Sequence, residues 1–125
     1  MAKGLKLEDL EVYKVAMEIG EIVWTTVLKW DYFQKKTLGA QYVDAADSIA
    51  LNISEGYGRF HFKENKNFCY YSRGSAKETL TATIKAKSRN LISDEDFTFL
   101  SQKFDVYFRL MFGYINSIGT SADGV

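Results

Sequence analysis

The sequence predicts an all-α protein, a four-helix bundle whose helices run up, down, up and down. The 125 residues include no proline, the residue that most often ends or kinks a helix. Apolar residues recur at three- and four-residue spacing in four successive segments, as in helices that bury one face. Short polar stretches separate these segments, and short connections favour antiparallel neighbours.

The first two helices are predicted on either side of a polar stretch at residues 31–36. The first runs from about Leu7 to Trp30. Its apolar stripe consists of Leu10, Tyr13, Met17, Gly20, Trp24 and Val27. The second runs from about Thr37 to Glu55. Its apolar face consists of Leu38, Tyr42, Ala45, Ile49 and Ile53. We expect Gly56 to end this helix as a C-cap with positive φ.

The third helix is predicted from about Phe62 to Asn90, and the fourth begins after Ser93 and ends at Gly119. Acidic residues follow Ser93 directly, as in a capping box. Gly74 lies inside the third helix, where glycine costs about 1 kcal/mol relative to alanine. We therefore expect it to allow close approach of another backbone. Residues 1–119 form one predicted domain, and 120–125 are predicted as a flexible C-terminal tail.

The composition indicates which cellular compartment and which binding partners to expect. Sixteen basic residues balance sixteen acidic ones, so the chain is not a strongly basic nucleic-acid binder by net charge. The charge is nevertheless segregated, because residues 59–89 carry eight basic side chains and two acidic ones. With a single cysteine, no signal peptide and no apolar run long enough for a membrane span, the chain is predicted to be cytoplasmic.

Catalytic and metal-binding chemistry find little support. The stretch SIALNISEGYGR at residues 48–59 has two nearby glycines, but no strand precedes it and the spacing of a phosphate loop is missing. His61 is the only histidine, so Cys69 has no obvious catalytic partner and no Glu-x-x-His metal motif exists. We therefore expect no enzyme activity, no metal site and no cofactor.

Two groups of polar residues are candidate functional features. The first lies on the second and third helices and consists of Ser48, Asn52, Glu55, Arg59, Ser75 and Glu78. These residues are predicted to form a hydrogen-bonded network that sets the register between helices, or alternatively a binding surface. The second group is predicted to bind nucleic acid and consists of Lys63, Lys66, Arg73 and Lys77. Tyr70 and Tyr71 are interleaved with these cations and are available for stacking on bases, although an ordinary solvated helix face has the same pattern.

Several segments resemble a known family. They are the start LEDLEVYKVA at residue 7, the stretch SIALNISEG with Arg59, and FCYYSRGSAKETL from residue 68. Together they resemble the four-helix-bundle proteins encoded in 23S rRNA intervening sequences, a family related to the accessory variability proteins of diversity-generating retroelements. The resemblance implies a barrel-like homopentamer and, in the retroelement branch, binding of nucleic acid and of a reverse transcriptase.

Two functions follow as hypotheses. The first is a non-enzymatic oligomer that binds RNA or DNA modestly through the third helix. The alternative is a protein–protein adaptor or accessory subunit, for example of a reverse transcriptase, because the chain has more aromatic residues than one small core requires.

Overall fold

The computed structural model describes residues 6–119, and the regular structure there is helical, without a strand. The elements are a 3-10 turn Leu7–Asp9, α1 (Glu11–Leu28), α2 (Tyr32–Gln34), a π-helical segment Lys35–Gly39, α3 (Ala40–Tyr57), α4 (Phe62–Ser88) and α5 (Asp94–Ser117). The four long helices form a bundle, so the all-α prediction is confirmed. The predicted tail at 120–125 lies outside the described residues.

Neighbouring helices in the bundle are antiparallel. Tyr42, near the start of α3, contacts Thr83, near the end of α4, with 2.6 Å between the two hydroxyl oxygens. Farther along, Ser72 donates to the carbonyl of Ile49 at 2.8 Å. Equivalent reversed contacts relate α1 to α3 and α4 to α5, and α5 also packs on α1. In this arrangement, the α1–α3 side of the bundle lies opposite the α4–α5 side.

The buried face of α1 differs from its predicted stripe. The core residues of α1 include Val12, Val15, Ile19 and Val23, whereas Met17 and Trp24 are 45% and 48% exposed. Leu10, Gly20 and Val27 of the predicted stripe are buried, so the prediction was wrong for Met17 and Trp24. Apolar residues cover more than half of this helix, and its neighbours α3 and α5 determine which of them are buried. The predicted apolar face of α3 is confirmed as core, and α5 buries Leu100, Phe104, Tyr107 and Met111.

The buried face of α4 is unusually polar. It consists of Cys69, Ser72, Ala76, Thr79, Ala82, Thr83 and Ala86. The hydroxyls of Thr79 and Thr83 donate to carbonyls one turn earlier in the same helix, so their polar atoms are satisfied inside the core. A search for apolar periodicity does not find such a face.

The break between the first two long helices is shorter than predicted. Asp31 caps α2: its carboxylate accepts from the Gln34 backbone N–H at 2.8 Å, and the Gln34 side chain accepts from the Asp31 backbone N–H at 3.1 Å. This reciprocal cap starts the helix at Tyr32, and the π-helical segment carries it into α3. The polar stretch is therefore mostly helical.

Two glycines have roles opposite to those predicted. Gly56 is inside α3, and the residues with positive φ in the described part of the chain are Asn90 and Gly119. A Cβ on Gly56 would lie 2.7 Å from Asn65 Oδ1 and 2.8 Å from Phe68 Cβ on α4. At Gly74, by contrast, an added Cβ would meet nothing within 4 Å. The close helix approach predicted at Gly74 therefore occurs at Gly56.

The remaining helix ends follow the sequence signals closely. Ser93 is the N-cap of α5, and its hydroxyl accepts from the Asp96 backbone N–H at 3.1 Å. The third and fourth helices end within two residues of the predicted positions, at Ser88 and Ser117. None of the helices between residues 6 and 119 combines the length and apolar character that crossing a bilayer requires.

Candidate nucleic-acid interface

The basic residues predicted to bind nucleic acid lie on α4, which is continuous over all of them. Together with Tyr70 they form a stripe spaced by three, four, three and four residues: Lys63, Lys66, Tyr70, Arg73 and Lys77. This spacing places the five residues along one side of the helix. Lys66 is half-buried, and the other four are exposed. We call this set the α4 stripe.

Aromatic rings hold two of the stripe cations. The Arg73 guanidinium carbon lies 5.1 Å from the centre of the Tyr70 ring, and Lys77 Nζ lies 4.3 Å from the centre of the Phe108 ring on α5. Both distances are within the range of cation–π attraction. The α4 stripe therefore runs along the α4–α5 side of the bundle, with Lys77 anchored against the neighbouring helix.

The α4 stripe has no ion-pair partner among the described residues. The ion pairs between residues 6 and 119 are Lys14–Glu11, Arg59–Glu55, Lys87–Asp94 and Lys103–Glu18. Glu64 and Glu78, the acidic residues of α4, are exposed but fall off the spacing of the stripe. Four positive charges thus line one side of α4 without a neutralising carboxylate within 4 Å, and they attract anions.

The predicted polar network is not assembled within this chain. Ser48 donates to the carbonyl of Asp44 at 2.8 Å, and Asn52 donates to the carbonyl of Ser48 at 2.9 Å. Glu55 pairs with Arg59 on the surface at 2.7 Å. These hydrogen bonds and this ion pair run along α3 and its extension. Arg59 also contacts α4, where its guanidinium carbon lies 4.9 Å from the centre of the Phe68 ring.

On α4, the two remaining network residues form no hydrogen bond or ion pair with the described residues of α3, although Glu78 lies beside Gln41. The Ser75 carbonyl accepts from the Thr79 hydroxyl at 2.7 Å within α4, and Glu78 is exposed. Burying either glutamate at the helix crossing would have required a cationic partner to offset its loss of hydration. The crossing is instead filled by small and hydroxyl-bearing side chains.

A different set of buried hydroxyls joins the helices. Ser72 bonds to Tyr107 at 2.6 Å as well as to the Ile49 carbonyl, and Tyr42 bonds to Thr83. Burial raises the pKa of Tyr42 to about 12 and also raises that of Tyr107. The sequence signal for this set is Ser or Thr at helical spacing on α4, opposite tyrosines within the apolar stripes of α3 and α5.

A second exposed surface lies between α1 and α3. A groove of about 300 Å³ is lined by Met17, Gly20, Glu21, Asp47, Leu51 and neighbouring residues. A second depression of about 280 Å³ lies between the same two helices, and Trp24 and Leu28 line it. Leu51 is 65% exposed. Burial, followed by the nearby charges of Glu21 and Asp44, raises the pKa of Asp47. We call this surface the α1–α3 groove.

The side chains that could bind a metal ion or act as nucleophiles do not form a site in the described part of the chain. Within residues 6–119, no three His, Cys, Asp or Glu side chains are grouped so that they could hold an ion. Cys69 is buried, and burial raises its pKa to about 11, so the thiol stays protonated near neutral pH. Cys69 is thus a small residue of the core.

Comparison with protein families identifies a match over most of the chain. The family described as 23S rRNA-intervening sequence protein matches residues 8–113. The chain belongs to this family. The resemblance drawn from the three sequence segments is thereby confirmed. No curated protein matches the chain.

Both surfaces of this 23S rRNA-intervening sequence protein fall within the matched region. The match begins in the 3-10 turn before α1 and ends inside α5, so it includes the whole α4 stripe and the whole α1–α3 groove. Gly56 is also included. Its place at the α3–α4 contact gives a packing reason for the Ser-Glu-Gly segment, which sequence analysis interpreted as a helix end.

Proposed function

We propose that this 23S rRNA-intervening sequence protein is a non-enzymatic oligomer that binds RNA or DNA through the α4 stripe. The observation that carries the proposal is a line of four cations along one helix side, without ion pairs among the described residues. Cations in such a line contact phosphates and release their counterions, which gives sequence-independent affinity.

The expected affinity per subunit is modest. Four phosphate contacts predict a slope of log affinity against log salt of about −3.6 on duplex DNA and about −2.8 on single strands. Assembly of several copies repeats the stripe and multiplies the number of contacts available to one long ligand. An oligomer is therefore expected to bind a long nucleic acid more tightly than a single subunit does.

The decisive experiment changes the charge of the stripe alone. Glutamine at Lys63, Lys66, Arg73 and Lys77 should weaken binding of labelled RNA and DNA in fluorescence anisotropy and flatten the salt slope. A matched control has glutamine at four exposed lysines outside both the stripe and the α1–α3 depressions: Lys6, Lys29, Lys36 and Lys85. If both variants lose the same affinity, net charge is responsible and the α4 stripe is the wrong surface.

We place self-association on the α1–α3 groove. The support for it is the exposed apolar surface of Met17, Trp24, Leu28 and Leu51 on two adjacent helices, which is typical of a contact surface. The family resemblance adds that the expected assembly is a homopentamer. In such a ring, the groove of one subunit meets a different surface of the next subunit. The proposed function therefore requires this second surface to lie away from the α4 stripe.

A second candidate function uses the same groove. As an adaptor, the protein would hold another protein there, such as a reverse transcriptase, and the unpaired carboxylates beside the groove favour a partner with basic residues. This alternative predicts a stable complex that Leu51→Asp abolishes. Co-purification of nucleic acid without any protein partner would count against it.

A further inference from the structure

We infer that the α4 stripe takes a single-stranded nucleic acid whose unpaired bases stack on Tyr70 and Phe60. This inference rests on the proposed function, because it specifies the ligand of the same surface. It states whether the ligand is single- or double-stranded and how its bases are bound. The positions of the cations alone do not determine either.

Tyr70 occupies the middle of the stripe. It lies four residues after Lys66 and three before Arg73, and its ring is 43% exposed. The Arg73 guanidinium lies 5.1 Å from the ring centre. Aromatic rings and guanidinium planes are the two kinds of side chain on which single-stranded bases stack. Phosphate contacts on either side of this pair would bring a base to it.

Phe60 precedes the stripe in the sequence. It belongs to the connection between α3 and α4, three residues before Lys63, and follows Arg59 directly. Its side chain is 90% exposed, the largest exposure among the exposed large apolar residues of the described chain. Its ring has an edge-to-face contact with His61, with 5.1 Å between the centres. The bundle core does not use this ring, and basic residues flank it.

The two exposed rings favour a single strand over a duplex. In a duplex, each base face is covered by its stacked neighbours, so a surface ring finds no free face to stack on. A cationic helix without aromatic residues would serve a duplex equally well. The stripe from Lys63 to Lys77 spans fourteen residues, or about 21 Å at 1.5 Å per residue. That length corresponds to about six nucleotides of a stacked strand.

The test compares four labelled probes by anisotropy: a ten-nucleotide oligouridylate, the matching oligothymidylate, a blunt-ended duplex without a loop, and a ten-unit abasic oligonucleotide. The abasic probe keeps every phosphate and lacks every base. We expect the two single strands to bind more tightly than the duplex and the abasic probe. Phe60→Ala and Tyr70→Ala should each weaken single-strand binding by about 5-fold or more. Phe60→Ala removes no member of the α4 stripe and should leave abasic binding unchanged, and Tyr70→Ala should weaken single-strand binding more than abasic binding.

Phe99→Ala is the matched control. Phe99 is a 46% exposed ring on α5 with Lys103 Nζ 5.2 Å from its centre, so it is a cation–aromatic pair away from the stripe. Its loss should leave every affinity unchanged. Since Phe60 makes little contact with the core, Phe60→Ala tests stacking without disturbing the fold, and circular dichroism verifies this.

The outcomes separate this inference from the proposed function. If the abasic probe binds as tightly as oligouridylate, or if neither ring variant weakens binding, stacking is overturned while loss of binding in the four-glutamine variant still supports the proposed function. If no probe binds at low salt, both are overturned. If the ring variants weaken the binding of oligouridylate but not that of oligothymidylate, stacking is supported with RNA as the ligand. If the binding of both single strands weakens equally, stacking is supported for RNA and DNA alike.

Discussion

At the scale of single residues, the buried hydroxyl of Ser72 joins three helices. Its oxygen lies 2.8 Å from the Ile49 carbonyl on α3 and 2.6 Å from the Tyr107 hydroxyl on α5. A hydroxyl with two partners at these distances is fully satisfied, and its removal leaves a buried tyrosine hydroxyl without this partner. Ser72 therefore contributes more to stability than its size suggests.

Replacement of Ser72 by alanine should lower the free energy of unfolding by about 1–3 kcal/mol, because the Tyr107 hydroxyl and the Ile49 carbonyl stay buried and lose a partner. Urea unfolding followed by circular dichroism measures this change. Thr81→Ala, at an exposed position of α4, is the control and should change stability by less than about 0.5 kcal/mol. Equal costs for the two variants would contradict the role given to Ser72.

The buried phenols predict a loss of stability at alkaline pH. The pKa of Tyr42 is raised from 10.0 to about 12 by burial, so the unfolded chain loses this proton at lower pH than the folded protein does. Stability is therefore retained below about pH 10 and lost progressively towards about pH 12, at up to about 1.4 kcal/mol per pH unit for one group. The raised pKa of Tyr107 acts in the same direction, and that of Cys69, raised from 9.0 to about 11, does so from about pH 9 upwards.

Urea midpoints between about pH 8 and pH 11 check this pH dependence. Tyr42→Phe should be less stable at neutral pH, because Thr83 loses a hydrogen bond. It should also lose stability less steeply above about pH 10. A slope identical to that of the wild type would show that Tyr42 is not the group responsible.

At the scale of helices, Gly56 and Gly74 show how packing decides the effect of the same residue type. Both lie inside helices, where alanine is favoured over glycine by about 1 kcal/mol. At Gly56 the facing atoms of α4 are too close for a Cβ, whereas Gly74 is exposed to open space. The α3–α4 contact therefore requires glycine at position 56 and does not require it at position 74.

The two alanine variants should change stability in opposite directions. Gly56→Ala should destabilise the protein by about 1–3 kcal/mol, since α3 and α4 must separate to admit a methyl group. Gly74→Ala should stabilise it by about 0.5–1 kcal/mol. Thermal and urea unfolding of the pair measure both changes. Stabilisation by Gly56→Ala would show that the two helices are not closely packed at this point.

At the scale of the whole molecule, the bundle separates two chemically different sides. The α1–α3 groove carries exposed apolar residues with carboxylates beside them, and the α4 stripe carries unpaired cations. A net charge of zero hides this separation. The arrangement suits a protein that contacts protein on one side and an anionic polymer on the other.

Light scattering after size exclusion tests the assembly on the groove side. We expect a mass of several subunits for the wild type, and a smaller mass with unchanged helicity for Leu51→Asp, because a charge in the groove opposes close apolar contact. Phe112→Asp places the same charge at an exposed residue of α5 and is the control. A monomeric wild type would sink the proposed self-association.

Much of the fold was predictable from local patterns. The absence of proline, the periodic apolar faces of α3 and α5, and the Ser93 cap all report on the residues' own helices, so they are visible in the sequence. The spacing of the α4 stripe is equally local, since a continuous helix is sufficient to align its cations. The polar core of α4 was missed because Thr79 and Thr83 satisfy their hydroxyls within the helix, which apolar periodicity cannot indicate.

What required the tertiary structure was the choice between faces. Met17 and Trp24 have the same periodicity as core residues, yet only the positions of α3 and α5 around α1 leave them exposed. Likewise, a glycine near a helix end signals a turn in the sequence, but the approach of Asn65 and Phe68 makes Gly56 a packing site. Local sequence determines where helices form, because their hydrogen bonds are local. Which surfaces meet depends on distant residues, because burial is shared between partners.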